Sequence, residues 1–93
     1  MEMNNKYDDI KNLIDDLRLD EAKMRLEQII ANNQADDMTY YLLGNLFRRG
    51  NDWKHAIDCY TQAIEINPQS PAVAARQMAI NILNFYNTDM YNH

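Results

Sequence analysis

The residues best suited to chemistry lie together on one predicted helical face, where His55 and Cys59 are four positions apart and Asp58 precedes the cysteine. This spacing lets two side chains share a metal ion, and imidazole and thiolate are both zinc ligands. Two ligands do not complete a site, and the only other histidine is His93, at the far end of the sequence. The pattern favours a partly exposed histidine beside a half-buried thiol. We therefore expect no metal and no cofactor.

No catalytic constellation is recognisable in the rest of the sequence. No glycine-rich loop follows a strand, and no serine or cysteine nucleophile has an identifiable base. Adjacent carboxylates occur near predicted helix ends, where capping and the helix dipole explain them without acid–base chemistry: Asp8 and Asp9, Asp15 and Asp16, Asp36 and Asp37. We expect a protein that is not an enzyme.

Composition narrows the class of partner. The chain has 93 residues and a formal net charge of −5, which suits one domain with a thin core. A negative surface repels nucleic-acid phosphates and anionic membranes, so we expect neither as a partner. No stretch approaches the roughly 18 consecutive apolar residues of a membrane span, and no export signal is recognisable at the start. Since a lone Cys59 also suits a reducing compartment, we expect a cytoplasmic protein.

Glycine and proline are scarce enough to mark the helix ends. Gly50 is expected to end one helix in a left-handed conformation, and Asp52 is expected to cap the next. Pro68 and Pro71 flank a further break. Elsewhere apolar residues recur at three- and four-residue spacing, and no run alternates for long enough to indicate a strand. The sequence predicts an all-α fold.

Residues 37–70 carry the spacing of a helix-turn-helix repeat, through the following eight positions: Tyr40, Leu43, Gly44, Phe47, Ala56, Tyr60, Ala63 and Pro68. In this pattern the segment resembles a tetratricopeptide repeat (TPR). The resemblance implies an α–α superhelix, in which helix pairs stack into a scaffold that binds other proteins. Gly44 is expected where two helices cross closely and a side chain would collide.

A shift by one 34-residue period places a degenerate copy over residues 3–36. The apolar positions coincide, as for Leu26 and Tyr60, whereas Ile10 occupies the place of Gly44. A third copy would begin at Pro71 but supplies only one helix, over 71–87, which we expect to close the array. The prediction is thus one domain, 1–93, with two helix pairs, a closing helix and a loose tail over 88–93.

In proteins that this chain resembles, the first helix of each pair lines a concave groove that binds a peptide or protein segment. The corresponding positions in this sequence are Tyr7 and Lys11, then Met38, Tyr41, Asn45, Arg48 and Arg49, then Ala72, Ala75, Ala79 and Ile82. Tyrosines, an amide and three cations in an acidic protein predict an acidic or C-terminal segment as ligand.

A plainer interpretation of these positions remains open. The tyrosines would be half-buried packing residues, and Arg48 and Arg49 would complement the dipole at a helix end. Some relatives bind a chaperone's C-terminal carboxylate through a clamp of lysine, asparagine and arginine residues. Asn45 and Arg76 match that clamp and its other positions do not, so an adaptor of that type is not expected.

The closing helix carries a strip of apolar residues, Ala75, Ala79, Ile82 and Tyr86, that one neighbouring helix pair cannot cover. Such a strip predicts self-association or the docking of a partner helix. The alternative is that the helix lies deeper and that Phe85 and Tyr86 fold over the end of the groove. Two functions follow: a non-catalytic adaptor or scaffold, or a structural unit that forms a homodimer through the C-terminal helix.

Overall fold

The computed structural model describes residues 6–91, with side chains through residue 85. This part of the chain forms five helices and no strand: α1 (Asp8–Asp15), α2 (Leu19–Ala31), α3 (Asp37–Arg49), α4 (Trp53–Ile66) and α5 (Ala72–Tyr91). The predicted all-α array is confirmed. None of these helices combines the length and apolar character that crossing a membrane requires.

The end of α5 differs from the prediction. The sequence placed it at residue 87, with a tail over 88–93, but the helix continues to Tyr91. No glycine or proline follows Pro71 in the sequence, so residues 88–91 contain nothing that stops a helix. Residues 92–93, and residues 3–5 of the degenerate repeat, lie outside the described part of the chain.

Each helix packs mainly against its neighbours in the sequence. Helix α1 contacts α2 and α3, α2 contacts α3, α3 contacts α4, and α4 contacts α5. The resulting molecule is elongated, with dimensions of 55 × 28 × 25 Å. A chain of nearest-neighbour contacts is the arrangement expected of stacked repeats.

The turn between α3 and α4 is determined locally. The Asp52 carboxylate accepts a hydrogen bond from the backbone N–H of His55 at 3.2 Å, which confirms the predicted cap. The left-handed residue is Asn51, with φ 65°, and not Gly50, whose φ is −89°. The prediction for Gly50 is therefore wrong: the helical turn extends through Gly50, and Asn51 reverses the chain.

Three helices end with the same Schellman arrangement. The left-handed residue is Leu17 after α1, Asn33 after α2 and Asn51 after α3, with φ between 60° and 65°. In the first of these, the N–H of Leu17 bonds to the Ile14 carbonyl at 3.0 Å, and the N–H of Arg18 bonds to the Leu13 carbonyl at 2.8 Å. Helix α1 therefore ends without a glycine, because Leu17 itself adopts the left-handed conformation.

Within the described residues, the core consists of two clusters of buried side chains. The N-terminal cluster lies among α1, α2 and α3 and consists of Tyr7, Ile10, Leu13, Ile14, Ala22, Leu26, Leu42, Leu43 and Leu46. The C-terminal cluster lies between α4 and α5 and consists of Ala56, Tyr60, Ala63, Ala72 and Ala79. Helix α3 contributes partly buried aromatic residues to both clusters, and so it connects them.

Gly44 allows α3 and α4 to approach closely. A Cβ atom added at Gly44 would lie 2.9 Å from Cζ of Tyr60 and closer still to two other atoms of that ring. Tyr60 is fully buried, so its ring has no space into which to retreat. The expected close crossing at Gly44 is confirmed.

Candidate binding groove

The first concavity, the α1–α3 pocket, lies between α1 and α3 and has a volume of about 250 Å³. Helix α1 contributes Lys11, Ile14 and Asp15. Helix α3 contributes the residues that face α1, namely Tyr41, Leu42, Asn45, Arg48 and Arg49. The described part of the chain therefore contributes three cations and one carboxylate to this pocket, in a chain whose net charge is −5.

The second concavity, the α3–α5 pocket, lies between α3 and α5 and has a volume of about 420 Å³. Most of its lining is apolar and comes from the turn before α5, from α5 itself and from the start of α4: Pro71, Ala74, Ala75, Met78, Ile82 and Trp53. Helix α3 completes it with Tyr41, Asn45 and Arg48. Among the described residues of this lining, Arg48 is the only charged one.

The two pockets share one wall. Tyr41, Asn45 and Arg48 of α3 line both of them, so the pockets join into one groove across the first helix of each pair. Tyr41 is half-buried, and the centroid of its ring lies 6.1 Å from that of Tyr60. The tyrosine is therefore both a packing residue and part of the groove surface.

Polar contacts hold the shared wall in place. The Tyr60 hydroxyl donates a hydrogen bond to Oδ1 of Asn45 at 2.5 Å. Burial raises the pKa of Tyr60, and a hydrogen bond and the positive charge from Arg48 partly offset that rise. The side chain of Asn45 is thus oriented from beneath by a residue that solvent does not reach.

One ion pair spans the rim of the α1–α3 pocket. Nη1 of Arg49 lies 3.9 Å from Oδ1 of Asp15, which is a long and largely exposed contact. Such pairs contribute at most about 1 kcal/mol, because water competes for both charges. Asp15 therefore offsets part of the positive charge of the pocket without closing it.

The structure brings most of the predicted site residues together. Those that line the joined pockets are Lys11, Tyr41, Asn45, Arg48, Arg49, Ala75 and Ile82. Met38 lines neither pocket, because it is half-buried against the N-terminal cluster.

Tyr7 is buried, and the prediction that it is exposed in the groove is wrong. Only 3% of its surface is exposed, and its hydroxyl donates to Oδ1 of Asp36 at 2.6 Å and shares a hydrogen bond with Oγ1 of Thr39, also at 2.6 Å. Burial and the bond to Asp36 raise the pKa of Tyr7 to about 12. Tyr7 precedes the short helix α1 and fills the space beneath the start of α3.

Ala72 and Ala79 also lie in the core and not on the groove surface. Both are fully buried in the C-terminal cluster, so the predicted exposure of these alanines is wrong. They are seven residues apart, which places them on one side of α5, and that side faces the small residues of α4. The predicted strip on α5 is thus partly covered: Ala75 and Ile82 are half-buried, and the side chain of Tyr86 lies outside the described residues.

Sequence reasoning missed Trp53 and Met78 as groove residues. Trp53 is the first residue of α4, a second helix of a pair, and such helices were not expected to reach the groove. Met78 follows Ala74 by four residues and precedes Ile82 by four, so all three lie on one helical stripe. The four-residue spacing of this stripe is visible in the sequence. The predicted groove face of α5 was centred about one residue away from the observed one.

The His55 side chain interacts with a helix cap, whereas Cys59 is half-buried. Nδ1 of His55 pairs with Oδ2 of Asp52 at 2.7 Å, beside the helix cap. Burial, with the charges of Asp58 and Asp52, raises the pKa of the Cys59 thiol to about 11, which disfavours the thiolate that a metal would bind. Among the described residues, no three histidine, cysteine, aspartate or glutamate side chains are grouped so that they could hold an ion.

Comparisons with known proteins agree with this geometry. The tetratricopeptide repeat family matches residues 38–70, the span of α3, α4 and the turn that follows. The solution NMR structure of the Bacteroides fragilis protein BF1650 is similar to this chain, with 43% sequence identity over 97% of this chain and 91% of that one and a TM-score of 0.82. No curated protein matches. From its repeat, its five stacked helices and this likeness, the chain belongs to the tetratricopeptide repeat family.

Proposed function

We propose that this protein is a non-catalytic adaptor or scaffold that binds a segment of a partner protein in the groove formed by the α1–α3 and α3–α5 pockets. The observation that carries the proposal is the shared wall: Tyr41, Asn45 and Arg48 line both pockets, so one extended segment can contact both. Families built from such repeats generally use their concave surface to bind proteins.

The wall suits an extended peptide chemically. Tyr41 offers a flat apolar ring, which is a common anchor in protein interfaces. Asn45 accepts from Tyr60 through Oδ1, so its amide nitrogen is the group that can donate to a peptide carbonyl. The buried Tyr60 orients that amide before any ligand arrives, which reduces the entropy lost on binding.

The test is a selection of random peptides on the wild-type protein, followed by binding measurements on groove variants. We expect the selected peptides to lose about tenfold or more in affinity for the variant Tyr41→Ala/Arg48→Glu/Arg49→Glu. The matched control for the two charge reversals is Lys23→Glu/Lys54→Glu, which reverses two exposed lysines on α2 and α4, outside both pockets. Circular dichroism establishes that each variant is folded. Selected peptides that bind all three proteins equally would refute the groove as the binding surface.

A second candidate function is a homodimer formed through α5. Val73, Met78 and Phe85 of this helix are exposed large apolar residues, and exposed apolar surface is a feature of interfaces. A molar mass that rises with concentration in analytical ultracentrifugation, and that returns to the monomer value for Val73→Glu/Phe85→Glu, would support it. A constant monomer mass would exclude it.

The proposal includes the remaining expectations about the partner and the compartment. An acidic segment would suit Lys11, Arg48 and Arg49, which line the α1–α3 pocket. A single, half-buried Cys59 is compatible with a reducing cytoplasm, where we place the protein. Fractionation of cells, followed by detection of the protein with an antibody, tests that placement.

A further inference from the structure

We infer that the groove is selective for a segment in which an acidic side chain stands next to a large apolar one. The acidic side chain enters the α1–α3 pocket, and the apolar side chain enters the α3–α5 pocket. This inference rests on the proposed function, since it specifies what the same groove binds. It follows from a difference in chemistry between two pockets that share one wall.

The α3–α5 pocket suits a large apolar side chain. Trp53, Met78 and Ile82 supply its apolar walls, while Ala74 and Ala75 leave space between α3 and α5. Its volume of about 420 Å³ lies in the range of roughly 300–1,000 Å³ that is usual for ligand sites. Burial of one large apolar side chain there would contribute most of the affinity, because a ligand removes this surface from water.

The α1–α3 pocket suits a carboxylate. Lys11, Arg48 and Arg49 line it, and Asp15 is the single opposing charge among the described residues of the lining, so this lining has a positive balance. The rest of the chain must then carry more negative charge than the net value of −5 indicates. A negative body around a positive pocket disfavours acidic surfaces in general and favours a carboxylate at this pocket, which gives selectivity more than raw affinity.

The two side chains of the ligand must be close together. Arg48 lines both pockets and is the only charged residue that the described part of the chain contributes to the α3–α5 pocket, so it lies where the basic and the apolar surfaces meet. A carboxylate at this junction would contact Arg48 while a neighbouring side chain enters the apolar pocket. We therefore expect the two features within a few residues of each other in the bound segment.

Two matched pairs of variants test the inference, with peptides selected from a random library on the wild-type protein as the probe. Lys11→Glu changes only the α1–α3 pocket, and its control is Lys23→Glu on α2, another exposed lysine. Met78→Glu changes only the α3–α5 pocket, and its control is Met24→Glu on α2. The two methionines are 62% and 58% exposed, so neither substitution disturbs the core.

The expected result is a loss of about tenfold in affinity for each pocket variant and no more than about twofold for each control, where tenfold corresponds to about 1.4 kcal/mol. Replacing the peptide's acidic residue with its amide should remove the effect of Lys11→Glu and leave the effect of Met78→Glu. Asp15→Asn should tighten binding, because it removes the opposing charge, and a merely structural disturbance of α1 would weaken it.

The outcomes separate this inference from the proposed function. The selected peptides could bind less tightly to Tyr41→Ala/Arg48→Glu/Arg49→Glu and yet carry no acidic and apolar pair. That result would support binding in the groove and refute the inferred selectivity. The same conclusion holds if Lys11→Glu has the same effect on the acidic peptide and on its amide version. If binding depends on none of the groove variants, both the groove and its selectivity are overturned.

Discussion

The N-terminal cluster, among α1, α2 and α3, fills its interior with leucine and isoleucine, whereas the C-terminal cluster, between α4 and α5, has four alanines around Tyr60. Small residues let helix backbones approach closely, and glycine and alanine have the smallest side chains. Large aliphatic residues fill wider gaps, and several of them are interchangeable there. The difference explains why residues 37–70 show their repeat clearly and residues 3–36 show it only in their apolar spacing.

Each cluster also holds one buried tyrosine, and the two tyrosines differ in the group that accepts the hydrogen bond from the hydroxyl. The hydroxyl of Tyr7 donates to the Asp36 carboxylate, while the hydroxyl of Tyr60 donates to the neutral amide of Asn45. Asp36 also caps α3 by accepting from the backbone N–H groups of Met38 and Thr39. The N-terminal cluster therefore contacts a titratable group, Asp36, at the start of α3. The C-terminal cluster contacts Asn45, in the wall of the groove.

The largest effect should come from enlarging the close crossing. Gly44→Leu forces its side chain into the buried ring of Tyr60, and we expect a loss of at least about 3 kcal/mol in the free energy of unfolding, or failure to fold. The control is Ile10→Leu at the corresponding position of the degenerate repeat, which should cost less than about 1.5 kcal/mol. Urea denaturation followed by circular dichroism measures both. Equal effects at the two positions would contradict the distinction between the clusters.

An intermediate effect should come from removing either tyrosine hydroxyl. Tyr7→Phe and Tyr60→Phe each remove a hydrogen bond from a buried group, and each should cost about 1–2 kcal/mol near neutral pH. The pH dependence of that cost should distinguish them, because only Tyr7 donates to a carboxylate.

On the acid side the reason is the pKa of Asp36. Burial alone would raise it, but the hydrogen bond from Tyr7, those from the backbone and the charge of Lys6 lower it below its ordinary value of 3.8. A lowered pKa gives stability that is present above pH 3.8 and is lost as the pH falls through the folded-state value. The cost of Tyr7→Phe should therefore shrink in acid, while the cost of Tyr60→Phe should not.

On the alkaline side the tyrosines themselves titrate. The raised pKa of Tyr7, about 12 against an ordinary 10.0, gives stability that is complete below pH 10 and is lost as the pH rises towards 12. The pKa of Tyr60 is also raised by burial, so both substitutions should lose their cost in strong alkali. Unfolding free energies measured across the pH range check this pattern, and an acid-sensitive Tyr60→Phe would contradict it.

The smallest effect concerns helix ends and should be stabilising. Leu17 adopts a left-handed conformation that asparagine tolerates better, and asparagine already occupies the equivalent positions 33 and 51. Leu17→Asn should raise the free energy of unfolding by about 1 kcal/mol, and the reverse substitution Asn51→Leu should lower it by a similar amount. The melting temperatures of the two variants, compared with that of the wild-type protein, test both expectations. A shift in the same direction for both would show that something other than the helix ends dominates.

Local interactions made several features readable from the residues alone. The all-α class and the Asp52 cap follow from spacing and from the hydrogen-bonding capacity of a side chain near its own backbone. The close approach at Gly44 was readable because glycine in a helix interior has a cost that packing must offset. The groove positions on α3 were readable from the resemblance, because α3 lies in the segment that shows the repeat clearly.

Contacts between distant residues decided the rest. Helical period shows which residues share a face but not which neighbour covers that face. Apolar positions occur around most of the circumference of α5, so the sequence does not show which side is buried. The packing of α5 on α4 determines that Ala79 is buried and that Met78 lines the groove. Tyr7 reaches Asp36 and Thr39 across about 30 residues of chain, and Trp53 reaches the groove from the start of α4. Sequence alone determined the helices and the repeat, while tertiary packing determined which of their faces solvent and a partner can reach.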